Sequence, residues 1–444
     1  TFSWEKIDDT TRRAIDLGSL FDLYDEQEML SGTGYLTASP TPDDRFVAYV
    51  NHGKNINELS FIIPPLTIPY DVTNTFTTAG VGWSHTVGYR NVVNAALFYT
   101  SLDVDVADGL SIPLPFFLTE THTRHRSYVA AVNHTISVDS FDWRYGVEGG
   151  VIETSLEQVV SFAGIPFPRV SASDAMDYGR LYVDLLHEIT SDLKAEYALH
   201  AVLFKSDNID VTRLEPRAGI AWTPVEGHWL RAGYIRQGTD LSTPTLSPIG
   251  LLGIQPNEFG VGVEGYSDTI ALRWDAEWND RLFTAVEYQH QQLHDLSVAD
   301  IVSQSSYDYD WADVDRVSVT ANVALGYGFG LSGTYAYAQS EHNFSSTPGI
   351  GEDLPFLPQH SGQIALTWVN PANVKARLAA NYIGERQGDA SSQVLDDYWT
   401  LDASLTWEPF DKRIEFAAAA YNLLDEEFLV SPRVNGWGRA FTGT

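Results

Sequence analysis

Residues 269–278 read TIALRWDAEW. Ile270, Leu272, Trp274, Ala276 and Trp278 fall on one side of an extended chain, and Thr269, Ala271, Arg273, Asp275 and Glu277 on the other. Strict alternation over such a run describes a strand with one apolar and one polar face, because successive side chains of a pleated strand point to opposite sides. Asn279-Asp280 then supplies a tight turn, and a second run, RLFTAVEYQHQQ, follows at once. The pattern recurs. Val317, Val319, Ala321, Val323 and Leu325 oppose Arg316, Ser318, Thr320 and Asn322; Val374, Ala376, Leu378 and Ala380 oppose Lys375, Arg377 and Asn381. Trp399, Leu401, Ala403, Leu405 and Trp407 oppose Thr400, Asp402, Ser404 and Thr406, and Phe141, Trp143, Tyr145 and Val147 oppose Asp142, Arg144 and Glu148.

Composition narrows the class. The chain of 444 residues carries 27 Lys+Arg against 59 Asp+Glu, a net charge of −32, which repels phosphate backbones and argues against nucleic acid as a partner. Without cysteine there is no disulfide framework, thiolate metal site or cysteine nucleophile. No run approaches the ~20 apolar residues of a spanning helix. Thr1 opens no secretory signal, which suggests a mature chain or a domain cut from a longer one.

Short connections near 39–44, 138–140, 190–192, 223–227, 279–280, 328–330, 370–373 and 408–413 alternate with long polar segments at 103–124, 158–176, 239–265, 295–314 and 341–360. Short turns at one end and long loops at the other describe a transmembrane antiparallel β-barrel of the outer membrane. The turn spacing predicts about 18 strands, within a range of roughly 16–20, over residues 31–444. Residues 1–30 read as a periplasmic segment or a join to another domain. Trp222, Trp278, Trp368 and Trp407 each precede a short turn, as a girdle of indoles at the periplasmic headgroup layer requires. A soluble sandwich would alternate too, but has no reason to align Trp at one end.

The segment YNLLDEEF (421–428) resembles the N-L-x-D-x-x-[FY] signature before the last strand of TonB-dependent outer-membrane receptors, and Trp437-Gly438-Arg439-Ala440-Phe441 resembles the opening of that strand. LRAGYIRQGTDLSTPTLSP (230–248), followed by WNDRL (278–282), is similar to a strand, loop and hairpin of the same receptors. The resemblance implies that Asn422, Asp425, Gly438 and Arg439 close the barrel structurally and form no site. Those receptors carry a plug domain ahead of a larger barrel, and no such globular region precedes the first strand here. A second likeness is to the barrels that follow tetratricopeptide domains in outer-membrane proteins, some of which export polysaccharide; residues 1–30 would then be the join.

The polar faces place Arg144, Glu148, Arg231, Arg273, Asp275, Glu277, Glu287, Arg316, Arg377 and Asp402 in the lumen, with Asp142 and Glu415. They describe either a charged passage or a wet wall cross-braced by Arg–carboxylate pairs, and pairing satisfies both charges without a ligand. Asp308, Asp310, Asp313 and Asp315 crowd a predicted outer loop; alternating carboxylates suit Ca²⁺, but the Gly and distal Glu of an EF-hand are missing and a solvated acidic loop is the stronger reading. No other cofactor is expected. His290 with His294, and His122 with His125, offer at most two imidazoles each. Gly260-x-Gly262-x-x-Gly265 matches the dinucleotide fingerprint by letter, but a loop precedes it and a strand follows, the reverse of the required context. No catalytic triad, zinc motif or P-loop is visible, so no enzyme is expected. The apolar pieces around Phe116, Phe117 and Phe167 read as a loop contact surface for a partner, or as loops packed on each other.

These readings converge on a Gram-negative outer-membrane barrel, embedded in lipid and lipopolysaccharide, that serves as a conduit for transport or export within a larger envelope assembly and meets a surface or periplasmic protein. The alternatives are a TonB-dependent uptake barrel lacking its plug, and a non-conducting scaffold that anchors a partner through its loops.

Overall fold

The computed structural model describes residues 2–13, 22–63, 66–112, 114–238, 244–299, 306–343, 353–388, 394–409, 414–431, 434–435 and 440–443, with side chains within 28–57, 71–109, 117–238, 244–298, 308–343, 353–388, 394–409 and 414–429. Twenty-one strands join one sheet, and neighbours along the chain pair antiparallel. Two two-stranded pieces, Arg386–Gln387 with Val394–Leu395 and Leu429–Ser431 with Val434–Asn435, stand outside it.

The alternation behaves as the sequence requires, but with burial inverted relative to a protein built for water. In the strand Val261–Asn279, Ile270 and Leu272 are 52% and 53% exposed, whereas Thr269 and Ala271 on the opposite face are each 1% exposed. Glu148, Glu215, Gln289 and Gln291 are buried, while Leu97, Val147, Leu203 and Leu366 are exposed. Water would penalise such a surface at roughly 25 cal/mol per Å² of apolar area, and an acyl-chain environment removes the penalty. The apolar face is the lipid face.

The short turns lie where period two breaks. Arg90, Asp139 and Tyr327 take positive φ of 55°, 51° and 51°, the geometry that the right-handed twist of a hairpin demands. The Tyr89-Arg90 turn, missing from the sequence reading, carries its Gly and Asn at the flanking positions Gly88 and Asn91 and not at the two central ones.

Two expectations need correction. Among the described residues 21 strands join the sheet, against about 18 expected within a range of 16–20. Part of the difference lies near the start of the chain, where Phe2–Arg13 pairs with Asp22–Ala38, which continues into the sheet against Asp44–Ile63. The segments expected as long loops at 103–124, 158–176 and 295–314 are mostly strand. Asn91–Ile112 and Leu114–Val138 run 22 and 25 residues, and Leu282–Ala299 and Ser306–Gly326 run 18 and 21. Crossing the bilayer needs only about 9–11 residues. Above the membrane both faces of a strand are wet, so backbone pairing persists after the apolar/polar alternation that reveals it has gone.

Contacts divide the chain into two units: residues 1–183, 200–214 and 240–247 form the first, and 184–199, 215–239 and 248–444 the second. In the first, the strands from Asp44 to Phe162 form an unbroken run of antiparallel neighbours. In the second, Val261–Asn279, Leu282–Ala299, Ser306–Gly326, Phe329–Asn343, His360–Asn370, Val374–Ile383 and Tyr398–Trp407 do the same. A compact apolar cluster of Leu293, Leu296, Tyr309, Ala312, Val314 and Leu354 caps the loop end of the second unit.

Candidate functional site

The polar face of the second unit carries a ladder of paired charges. Arg231 and Arg273 lie directly opposite each other across neighbouring strands, which would repel if both were bare. Asp275 sits between them: Arg231 donates to its Oδ2, and Arg273 donates through Nη2 to Oδ1 at 2.9 Å. Arg273 also donates through Nη1 to Glu287 at 2.9 Å, and Glu287 accepts from Gln289 at 2.6 Å. Thus Arg231, Arg273, Asp275 and Glu287 meet as one network. Arg377 donates to Gln363, and Asp402 accepts from the Asn381 side chain and the Asn422 amide at 2.7 and 2.9 Å. Glu277 stands exposed near its turn. Arg144 lies on the polar face of Phe141–Phe162, and Asp142 is 4.0 Å from Arg90.

The sequence did not reveal the main feature of this face. The segment 244–260, expected as an outer loop, is held by buried polar groups, residues 244–247 within the first unit and residues 248–260 within the second. In the first, Glu148, 2% exposed, accepts through Oε1 from the Thr245 hydroxyl at 2.6 Å, the Leu246 amide at 2.6 Å and the Ser247 amide at 3.0 Å. Arg180 donates to the Ser247 hydroxyl at 3.1 Å, and Tyr182 and Asn133 donate to the Leu246 carbonyl. In the second unit, Arg217 donates to the Pro248 carbonyl at 2.8 Å and Glu196 accepts from the Leu252 amide at 2.6 Å. Leu251 and Ile254 pack with Ile235 and Ala271. That approach requires glycine: a Cβ on Gly219 or Gly233 would stand 2.8 or 2.9 Å from Leu251 Cδ2.

Asn257 completes the hold. Its side-chain amide donates to Gln289 at 2.9 Å and Gln291 at 3.1 Å, its carbonyl accepts from Gln291 at 2.9 Å, and its Oδ1 accepts from Arg316 at 2.9 Å. Gln289 and Gln291 are 2% and 0% exposed. Uncharged amides buried among polar partners would have been the sequence signal.

The four aspartates do not converge. The run is strand, part of Ser306–Gly326, and alternation sends Asp308 and Asp310 to one face and Asp313 and Asp315 to the other. Asp315 accepts from Tyr288 at 2.6 Å and lies 3.1 Å from His290 Nδ1. Among the described residues no three His, Asp or Glu side chains are grouped to hold a metal ion. His294 stacks on Tyr266, while His122 and His125 lie on opposite faces beside Asp105 and Thr154. Gly260, Gly262 and Gly265 lead into a strand. Phe117 and Phe167 are exposed; the side chain of Phe116 lies outside those described.

The four indoles of the expected girdle lie in the second unit. Trp222, Trp278 and Trp407 are exposed and Trp368 half-buried, each near a short turn on the apolar face. Trp278 donates to the Thr284 hydroxyl at 2.8 Å and packs edge-on to Trp274; Trp368 lies against Phe329 and Trp407 stacks on Phe416. At the turn beside Trp222, the Thr190 hydroxyl, the residue's own amide and the Trp222 indole hold the Asp192 carboxyl below the usual carboxylate range. A second belt appears at the loop side, where Tyr382 packs on Trp399 with centroids 4.7 Å apart. Trp399 and Trp407 share one strand, eight residues apart, or ~27 Å along it and on the order of 20 Å vertically at an ordinary tilt. An apolar band of that height fits an outer membrane.

The sequence matches the family model "TonB dependent receptor-like, beta-barrel" over residues 10–423. The chain belongs to the TonB-dependent receptor-like β-barrel family. Known structures agree in fold. The ferric yersiniabactin uptake receptor FyuA from Yersinia pestis is 13% identical, with a TM-score of 0.64, 100% of this chain covered and 79% of that one. The siderophore receptor PiuA from Acinetobacter baumannii is 12% identical with a TM-score of 0.64, covering 100% and 80%. The copper transporter OprC is 11% identical with a TM-score of 0.70, covering 95% and 75%. No protein of curated function matches the sequence. The family is one of receptor-like barrels and not of enzymes. In this chain Asn422 and Asp425, from the motif that suggested the family, sit at positive φ in a turn where the Asn422 side chain bonds the Glu426 backbone twice, at 2.9 Å each. Gly438 and Arg439 lie outside the described residues.

Proposed function

We propose that the chain is an outer-membrane barrel through which a small solute is taken up, and that segment 244–260 occupies its passage at rest. The observation that carries this reading is the clamp on that segment: a buried carboxylate accepting three hydrogen bonds in one unit, and a saturated Asn257 in the other. Such a hold is far more than a loop needs merely to lie on a surface, and it lies on the face that in a barrel lines the lumen. Uptake is favoured over export because the neighbours FyuA and PiuA are named as an uptake receptor and a siderophore receptor. The Gram-negative outer membrane, with the long-strand end outside, is the setting of this proposal. The larger envelope assembly and a protein partner at Phe117 and Phe167 belong to it as well, supported by their exposure.

Conductance in a planar bilayer tests it. The refolded wild-type chain is expected to show little steady current. Glu148→Ala removes three hydrogen bonds worth about 1 kcal/mol or more each, and should release the segment and raise the current. A large current in the wild type, unchanged by Glu148→Ala, would show a conduit open from the start. Silence in both chains, and also after deletion of residues 244–257, would favour the non-conducting scaffold.

A further inference from the structure

We propose that the polar face of the second unit carries a binding pocket for one ring of a neutral saccharide. This inference names a substrate class for the uptake reading above and rests on it. Ala285 stands at the centre of a patch three strands wide. Across the strands it lies between Asp275 and Thr320, and along its own strand between Phe283 and Glu287 on the same face. Each of these neighbours is longer than a methyl group, so the wall is dished at Ala285. The hollow measures about 240 Å³, below the ~300–1,000 Å³ of pockets for drug-sized ligands. Strand geometry sets its frame at about 10 Å from Asp275 to Thr320 and ~14 Å from Phe283 to Glu287, which suits a single six-membered ring with its substituents.

The polar groups of this hollow differ from those around it. Elsewhere on the face, side chains satisfy one another: Thr320 with Thr334 at 3.0 Å, Gln363 with Asn381 at 2.6 Å, and Asn381 with Asp402 at 2.7 Å. At the hollow, Ser318 beside Glu287 and Asn322 beside Phe283 make no side-chain hydrogen bond among the described residues. Nor does the indole N–H of Trp229, which stands beyond Asp275 in the row of Ala285. Asp275 and Glu287, by contrast, are bound to Arg231 and Arg273, two anions against two cations, so an ionic solute finds no free counter-charge there. Phe283 is 41% exposed and Trp229 half-buried, and neither stacks on another ring among the described residues. A bare aromatic face is electronegative and attracts polarised C–H groups. A pyranose supplies both halves of the match: a C–H face for the rings, and hydroxyls, each donor and acceptor, for Ser318, Asn322 and Trp229. The hollow also lies where an entering solute arrives. Glu287 accepts from Gln289 at 2.6 Å and Gln289 holds Asn257, so the pocket is the next station on the turn side of that hold.

Isothermal titration calorimetry of the refolded chain in detergent micelles tests the pocket, with maltotriose, cellotriose and chitotriose as probes and triglutamate and trilysine as charged controls. The wild type should bind at least one trisaccharide and neither control. Ala285→Leu, which fills the hollow and keeps every polar group, should weaken that binding about tenfold or more. Asn322→Ala, which removes hydrogen bonds at the rim and leaves the hollow open, should weaken it about fivefold. Heat-modifiable migration is scored for every chain, so that a loss is read only where the barrel has folded. A folded wild type that binds no trisaccharide, equal binding of the charged controls, or undiminished binding by both variants overturns the pocket. The uptake reading fails separately: a large wild-type current unchanged by Glu148→Ala overturns the resting closure, whereas a chain that gates as expected and binds no trisaccharide overturns the saccharide pocket alone.

Discussion

At Gly233 one added side chain decides where segment 244–260 can lie. The polar face there must accept Leu251 at van der Waals distance, and any Cβ would stand 2.9 Å from Leu251 Cδ2 and 3.4 Å from Ile254 Cδ1. Overpacking of this kind costs about 1–3 kcal/mol, which the segment escapes by leaving while the strand keeps its pairing. Gly233→Val is therefore expected to leave heat-modifiable migration intact and to make residues 249–256 a site of rapid limited proteolysis; unchanged protection of those residues would sink the packing argument. Alternation alone puts Glu148 and Gly233 on the polar face. Neither residue says what it touches, because the partner comes from a segment about 100 residues away in the first case and the contact is backbone proximity in the second.

At the scale of elements, strands behave differently inside and above the membrane. Between the belts around Trp399 and Trp407, one face must be apolar for lipid and the other polar for water, so period two is enforced and visible. Beyond the bilayer, runs such as Thr119-Glu120-Thr121-His122-Thr123-Arg124 pair just as regularly, with Arg124 opposite Asp103 and His122 opposite Asp105. Nothing there requires an apolar face, and the sequence reads as loop. An indole, by contrast, has one favoured depth, which is what the expected girdle of Trp rests on. Replacing Trp222, Trp278, Trp368 and Trp407 together by Ser should slow and weaken insertion into vesicles, measured by the fraction of heat-modifiable protein. Unchanged insertion would mean that these rings are ordinary packing.

For the whole molecule, net charge dominates. A chain at −32 approaching an anionic bilayer is repelled over a Debye length of about 30 Å at 10 mM salt but only ~8 Å at 150 mM. Refolding into vesicles that contain anionic lipid should therefore speed up across that range of ionic strength, while refolding into zwitterionic vesicles stays nearly flat. Equal salt response in the two would show that charge is distributed so as not to face the membrane.

The sequence by itself determined the fold class, the apolar face of its strands, and the family, the last through YNLLDEEF. Each of these is written in local order: alternation, turn residues and depth preferences act between residues a few positions apart. The tertiary structure alone decided how far the strands run past the membrane, that the four aspartates divide between two faces, and how segment 244–260 is held, residues 245–247 by Glu148 in the first unit and Leu251 and Asn257 at Gly233 and Gln289 in the second. Those outcomes depend on which strand becomes a neighbour and at what register. Register is a property of pairs of strands, carried by no single one of them.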